Sequence, residues 1–147
     1  MHFKIVTPER VLLETETDSV TLPTQMGEIT VLPGHIPLVS NLESGELSYS
    51  YQGKREFFAI SGGVLEVKKD KEIVILADTA EAGHEIDEKR AQEARDWAQK
   101  IMSEAKSDAK TYADASAVFQ RNLARLKVAH KHRTHTHQNL ESGTLNE

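Results

Sequence analysis

The chain has 147 residues, 38% of them apolar, and carries 18 Lys and Arg against 23 Asp and Glu for a formal charge of −5. This suits one ordinary domain, or a small domain with an appendage, and an acidic balance without a basic stripe argues against a general nucleic-acid binder. The absence of cysteine excludes disulfides, thiolate nucleophiles and cysteine-rich zinc sites, and no run reaches the ~20 apolar residues of a membrane-spanning helix.

The first residues, MHFKIVTPER, alternate like a strand and lack the charged and apolar regions of a signal peptide, so a soluble cytoplasmic chain is expected. FKIVT runs to Pro8, and VTLPT leads into MGEITVL. The segment VLPGHIPLVSNLESG, residues 31–45, then reads as a rigid, turned surface stretch around His35. ELSYSY, EFFAI, GGVLEVKK and EIVILA follow. Short runs of period-two alternation with regular turn signals predict an antiparallel two-sheet β-sandwich over residues 1–84. No helical segment lies between these strands to supply a parallel crossover.

After Ala80 the pattern changes. From Glu85 to His130 there is neither Gly nor Pro, and the composition is rich in Ala, Glu, Lys, Arg and Gln. Asp87, Ala91, Ala94, Ala98, Ile101 and Ala105 share one helical face, and Tyr112, Ala115, Phe119, Leu123 and Leu126 share another. Between the stripes, KSDAKT predicts a break, with Ser107 or Asp108 ending one helix and Thr111 capping the next. The prediction is an antiparallel α-helical hairpin over residues 85–130, each helix about five turns long. Because alanine buries little area, the hairpin should be weakly self-stabilised, as suits a movable arm. Residues 131–147 lose apolar periodicity and are predicted to be a polar, His-rich, disordered tail.

A catalytic constellation is hard to assemble from these residues. The β half offers His2 and His35 without a nucleophile motif or a phosphate loop of P-loop or Rossmann spacing. The glycines of SGG, Ser61 to Gly63, precede a strand and read as a strand-linking turn. His130, His132, His135 and His137 are possible metal ligands, but a polar tail lacks the rigid frame of a structural site and the solvated reading is favoured. The hairpin arginines say more. Arg90 falls in the first turn of its helix, where the macrodipole disfavours a cation, and Arg121 and Arg125 form a like-charge i,i+4 pair. Folding about residue 109 sets Arg125 opposite Glu93 and Arg121 opposite Trp97, which brings Arg90, Arg121 and Arg125 together as an anion site with Asp87 beside it. The competing reading pairs Arg90 with Asp87 or Glu93 and Arg121 with Asp96, all exposed.

GEITVLPGHIPLVSNLESGEL, AISGGVLEV, IVILADTAE and the RLKVA near the end of an Ala-rich helical pair closely resemble the epsilon subunit of rotary F-type ATP synthases, in order over residues 1 to about 130. The resemblance implies a sandwich-plus-hairpin chain with no catalytic residues of its own. It implies a rotor subunit that joins the gamma subunit to the membrane c-subunit ring, couples proton flow to ATP synthesis, and sits on the cytoplasmic face of a bacterial plasma membrane. It further implies a hairpin that can extend toward the alpha/beta catalytic subunits and inhibit ATP hydrolysis. Ile86, Asp87, Arg90 and Ala91 match the I/L-D-x-x-R-A motif with which some bacterial members bind ATP. Glu81, Arg121 and Arg125 fall at positions similar to further nucleotide contacts, while Trp97 stands where a basic residue is expected and Arg95 is a possible substitute. ATP is thus the expected regulatory ligand, with magnesium left open, no required cofactor and no metal site, and Glu28 and His35 are the expected ring or gamma contacts. The alternatives are an adaptor of another complex or a free-standing ATP sensor.

Overall fold

The computed structural model describes the backbone of residues 1–144 and the side chains through residue 140. Ten strands come first: β1 (His2–Val6), β2 (Val11–Glu16), β3 (Ser19–Thr24), β4 (Gly27–Val31), β5 (Leu38–Leu42), β6 (Gly45–Tyr51), β7 (Lys54–Ile60), β8 (Gly63–Val67), β9 (Glu72–Ala77) and β10 (Ala80–Ala82). A 3-10 turn at Gly83–Glu85 leads into α1 (Glu88–Glu104) and α2 (Ala109–Thr144).

The strands follow one hydrogen-bonded path, β10-β7-β6-β3-β5-β8-β9-β1-β2, with β4 on the other edge of β3. That path folds over at β3, whose first half pairs with β6 through Val20 and Tyr49 and whose last residue, Thr24, pairs with Leu42 of β5. The changeover falls next to Pro23, which has no amide to give to a continuous ladder. Period-two alternation then points one side of each layer inward. Phe3 and Ile5 of β1, Leu22 of β3, Leu47 of β6, Leu65 of β8 and Ile73 and Ile75 of β9 all lose their solvent exposure completely. Phe3 and Tyr49, from opposite layers, meet with ring centroids 5.4 Å apart.

The β-sandwich followed by two helices agrees with the fold read from the sequence. Three strands lie outside the runs recognised there. β2 opens with consecutive apolar residues and sits at the end of the path, β5 begins directly after Pro37 inside the supposed turn segment, and β10 is only three residues long. The ladder is not wholly antiparallel either: β1 and β9 run parallel, Phe3 beside Ile73 and Ile5 beside Ile75. No crossover helix is needed because the whole sandwich separates the two strands in sequence. At the SGG turn Gly63 has φ +132°, and a Cβ there would come within 2.2 Å of the Leu76 carbonyl oxygen, so only glycine fits.

The helical part differs from expectation in length. α1 starts at Asp87, whose Oδ1 accepts from the Arg90 amide at 3.1 Å. The second cap is Asp108 and not Thr111. Asp108 accepts from the Thr111 amide at 3.3 Å and from its hydroxyl at 2.8 Å, while Thr111 lies inside α2. The predicted disordered tail is helical through Thr144, so α2 has 36 residues, about ten turns. Docking accounts for this. Lys131 Nζ reaches Glu46 Oε2 at 2.7 Å, the His135 ring lies 5.1 Å from that of Phe57, the His132 ring 5.9 Å from that of His84, and Arg133 Nε lies 3.3 Å from Glu88 Oε1. His130 and His137 face solvent. No helix among the described residues is long and apolar enough to cross a membrane, and none of their His, Asp and Glu side chains gather in a metal-holding group of three.

The hairpin core is mostly alanine. Ala91 and Ala98 of α1 and Val128 of α2 are fully buried, with Ala115, Ala124 and Ala129 of α2 nearly so, whereas Tyr112 from the predicted stripe keeps 42% exposure. Of the predicted stripe Ala115 is buried and Phe119, Leu123 and Leu126 are half-buried, because α2 packs on α1 along one side and on β6 and β7 along another.

Candidate functional site

β7 is buried on both faces from Phe57 to Ile60. Phe58 and Ile60 point into the sandwich, while Phe57 and Ala59 form a second, smaller apolar cluster with Val128 of α2, against which Ile86 packs. Paired residues of neighbouring strands share a face. Glu81 of β10 pairs with Ala59 and therefore faces α2, whereas Ala82 pairs with Phe58 and joins the core.

Opposite Glu81 stands Arg125. Its Nε donates to Glu81 Oε2 at 2.8 Å and its Nη2 to Oε1 at 3.3 Å, a two-pronged pair at 21% and 31% side-chain exposure. Its remaining arm, Nη1, donates to Asn122 Oδ1 at 3.0 Å. Asn122 is 5% exposed and is itself held by donating from Nδ2 to the Val118 carbonyl at 2.9 Å. The guanidinium is thus fixed in direction by groups on two elements.

This pair closes one side of a cleft of about 390 Å³ between α2 and the sandwich edge, lined by Arg10, Thr79, Ala80, Glu81, Glu85, Arg121 and Arg125 with Ala59 and Ile60 at its floor. The structure therefore brings Glu81, Arg121 and Arg125 together as expected, but around the β10 edge. Arg125 does not meet Glu93, and Arg121 does not pair with Asp96, which is held by Arg95 at 3.2 Å. The folding-back construction assumed that α2 meets only α1, and the sandwich supplies the other wall.

Of the I-D-x-x-R-A segment, Ile86 packs against Phe57, Ala59 and Val128, Asp87 caps α1, and Ala91 is fully buried. Arg90 is exposed, lies off the cleft lining, and has no side-chain partner among the described residues. Trp97 is 57% exposed on α1. Glu28 and His35 line separate clefts: Glu28 faces Gln120, Leu123 and Lys127 of α2, and His35 sits beside Lys68, Lys69 and Ile73 at the other layer. His35 Nδ1 lies 2.7 Å from the carbonyl oxygen of Ile36, whose side chain is 75% exposed.

Two residues escaped the sequence reading. Asn122 had a signal, since asparagine is unfavourable inside a helix and this one sits at i−3 from Arg125. Arg10 had none, because only the fold carries the β1–β2 turn to the side of α2.

Fold and seam together define a β-sandwich protein with a helical hairpin strapped to its edge. Comparison with known proteins places the chain more closely. Residues 1–83 match the family model "ATP synthase, Delta/Epsilon chain, beta-sandwich domain", and residues 84–130 match "ATP synthase, Delta/Epsilon chain, long alpha-helix domain". The ATP synthase epsilon chain of Chloroflexus aggregans is 42% identical over 133 residues, 90% of this chain and 94% of that one. The epsilon chain of Syntrophobacter fumaroxidans is 45% identical over 131 residues, covering 89% and 96%. Among solved structures, a chain of the Euglena gracilis mitochondrial ATP synthase, OSCP/F1/c-ring in rotational state 1, superimposes with a TM-score of 0.76 at 25% identity, covering 86% of this chain and 79% of that chain. The chain belongs to the ATP synthase epsilon family, as a non-catalytic central-stalk subunit of a complex whose catalytic sites lie on other subunits.

Proposed function

We propose that this subunit couples proton flow through the membrane ring to ATP synthesis as part of the rotor, and that its hairpin is a movable arm that binds ATP while docked and restrains ATP hydrolysis when released. The sandwich, with Glu28 and His35, contacts the gamma subunit or the c-ring, and the released hairpin reaches the alpha/beta subunits. The complex holds the chain at the cytoplasmic face of a bacterial membrane. The Euglena relative belongs to an F1/c-ring assembly, in keeping with such partners.

The observation that carries the regulatory half is the Arg125–Glu81 pair beside Arg121, a charged seam between arm and sandwich. The apolar part of that seam is small, centred on Phe57, Ala59 and Val128. A ligand that binds only the docked arm stabilises it by RT ln(1 + [ATP]/Kd), about 2.7 kcal/mol at a hundredfold excess over Kd. A seam of this size is switchable by that amount. Arg90, exposed at the start of α1, is available to the same ligand, with or without magnesium.

Calorimetric titration of the isolated chain with ATP tests this. Saturable binding is expected, weakened in both Arg90→Ala and Arg125→Ala, and unchanged affinity in both variants would sink the site. Co-purification of the gamma subunit tests the rotor reading, and an isolated chain without that partner would count for an adaptor or sensor.

A further inference from the structure

We infer that Arg10, on the turn between β1 and β2, is a phosphate-binding residue of the ATP cleft and that a bound polyphosphate ties the hairpin to the sandwich. This rests on the nucleotide reading above and adds to it a residue and a mechanical consequence.

The cleft is lined by three guanidinium groups, Arg10, Arg121 and Arg125. Arg125 is already neutralised by Glu81. The side chains of Arg10 and Arg121 have no partner among the described residues, so two unpaired cations border one cavity. With Glu81 spent on Arg125, Glu85 is the other carboxylate in the lining, so the three guanidinium groups outnumber the acids by one and leave positive charge for an anion. A guanidinium's planar donors suit phosphate oxygens. The position of Arg10 is set by its turn: its carbonyl accepts from the Thr7 amide at 2.9 Å and its own amide donates to Thr7 Oγ1 at 3.4 Å. A second cleft of about 180 Å³ is also lined by Arg10 and shares Thr79 and Ala80 with the first. Arg10 thus borders both clefts. The larger chamber alone lies in the range of ~300 to 1,000 Å³ usual for ligand pockets.

The consequence follows from where the residues sit in the chain. Arg121 and Arg125 belong to α2, while Arg10 belongs to the sandwich. Triphosphate oxygens shared between them are bound fully only when α2 is docked, so the ligand discriminates between docked and released arms. Arg90 and Arg125 alone join helix to helix, and Arg10 adds a direct tie to the sandwich.

The test titrates the full chain with ATP and, separately, with inorganic tripolyphosphate, in the wild type and in Arg10→Ala, Arg10→Lys, Arg125→Ala and Lys54→Ala. Loss of one charge-assisted phosphate contact is expected to weaken both ligands about tenfold or more in Arg10→Ala. Arg10→Lys should recover part of the loss, and Lys54→Ala, an exposed charge at the start of β7, should change neither. ATP should slow amide exchange along α2 in the wild type and lose that effect in Arg10→Ala at saturating ligand. If Arg125→Ala weakens ATP while Arg10→Ala binds as the wild type does, Arg10 is no ligand contact and the inference fails although the nucleotide reading stands. A wild-type chain that binds neither ligand overturns both.

Discussion

Arg125 of α2 reaches Glu81 of β10, 44 residues earlier in the chain, through two hydrogen bonds of 2.8 and 3.3 Å, and so pins the hairpin to the edge of the sandwich. The pair is neither fully exposed nor fully buried, at 21% and 31% side-chain exposure. Its coupling should therefore exceed the few tenths of a kcal/mol of an open surface pair and fall short of a desolvated one, about 1 to 2 kcal/mol. A double-mutant cycle with Glu81→Ala and Arg125→Ala, followed by urea unfolding through Trp97, reads this directly, since Trp97 is the only tryptophan and lies on α1. Additive single effects would show that the pair does not hold the arm.

The alanine seam between the helices makes a second prediction. Ala98 has no solvent exposure and lies on α1, which packs against α2. Ala98→Leu inserts volume where there is none to spare and should destabilise the hairpin by about 1 to 3 kcal/mol. Gln99→Leu, one position on and exposed, should change stability by less than about 0.5 kcal/mol. Equal effects of the two substitutions would mean that the seam is looser than its burial implies.

These relationships were legible in the sequence to different depths. Alternation marked FKIVT and EIVILA as strands because a strand with one wet face has to repeat every two residues, but that Phe3, Ile5, Ile73 and Ile75 are the inward members is set by the pairing of the layers. The alanine stripe announced Ala91 and Ala98 for the analogous helical reason. Helical spacing grouped Arg121 and Arg125 with Arg90, and Glu81 joined them only through the family resemblance. The spacing missed their true neighbours because it says which residues share a face and not what that face will meet. Arg10 and the docking of His132 and His135 depend on contacts between segments remote in sequence. Helix propensity is also weak in the tail, where threonine and histidine abound, so its helix is a product of packing.

A charge cluster at the start of the chain gives the pH prediction. His2 Nε2 lies 2.9 Å from Glu14 Oε1, and its Nδ1 lies 3.4 Å from Glu16 Oε1. Hydrogen bonds to Glu14 and then Glu16 raise the His2 pKa above its ordinary 6.5. The bond from His2, followed by the charge of Lys4, lowers that of Glu14 below 4.5. A raised histidine pKa contributes stability that is complete below 6.5 and fades as pH rises through the folded value. A lowered carboxylate pKa contributes stability that is present above 4.5 and fades as pH falls through its folded value. The difference in melting temperature between wild type and His2→Gln should thus be largest between these limits and should shrink toward both acid and alkaline pH. A difference that stays constant from acid to alkaline pH would rule out the titrating pair.

Gly83 offers the sharpest test of whether residues beyond 130 help to hold the arm. It is the first residue of the 3-10 turn, and a Cβ placed there would lie 2.8 Å from His132 Cβ and 3.4 Å from Val128 Cγ1. The first distance is a clash and the second is ordinary contact. Gly83→Ala should therefore push α2 off the turn, disturbing the His132 contact with His84 and the Lys131 bridge to Glu46. Removing residues 131–147 takes away the clashing partner. It also uncovers Phe57, which is 3% exposed beneath His135 and Lys131, so the truncated chain should exchange amide protons faster along β7 and the end of α2 while the sandwich stays folded. The two changes should then not add. Gly83→Ala should destabilise the full chain by about 1 to 3 kcal/mol and should cost much less in the truncated one, because its main obstacle has gone. A Gly83→Ala cost that is the same in both backgrounds would mean that His132 does not rest on the turn and that the tail contributes nothing to docking.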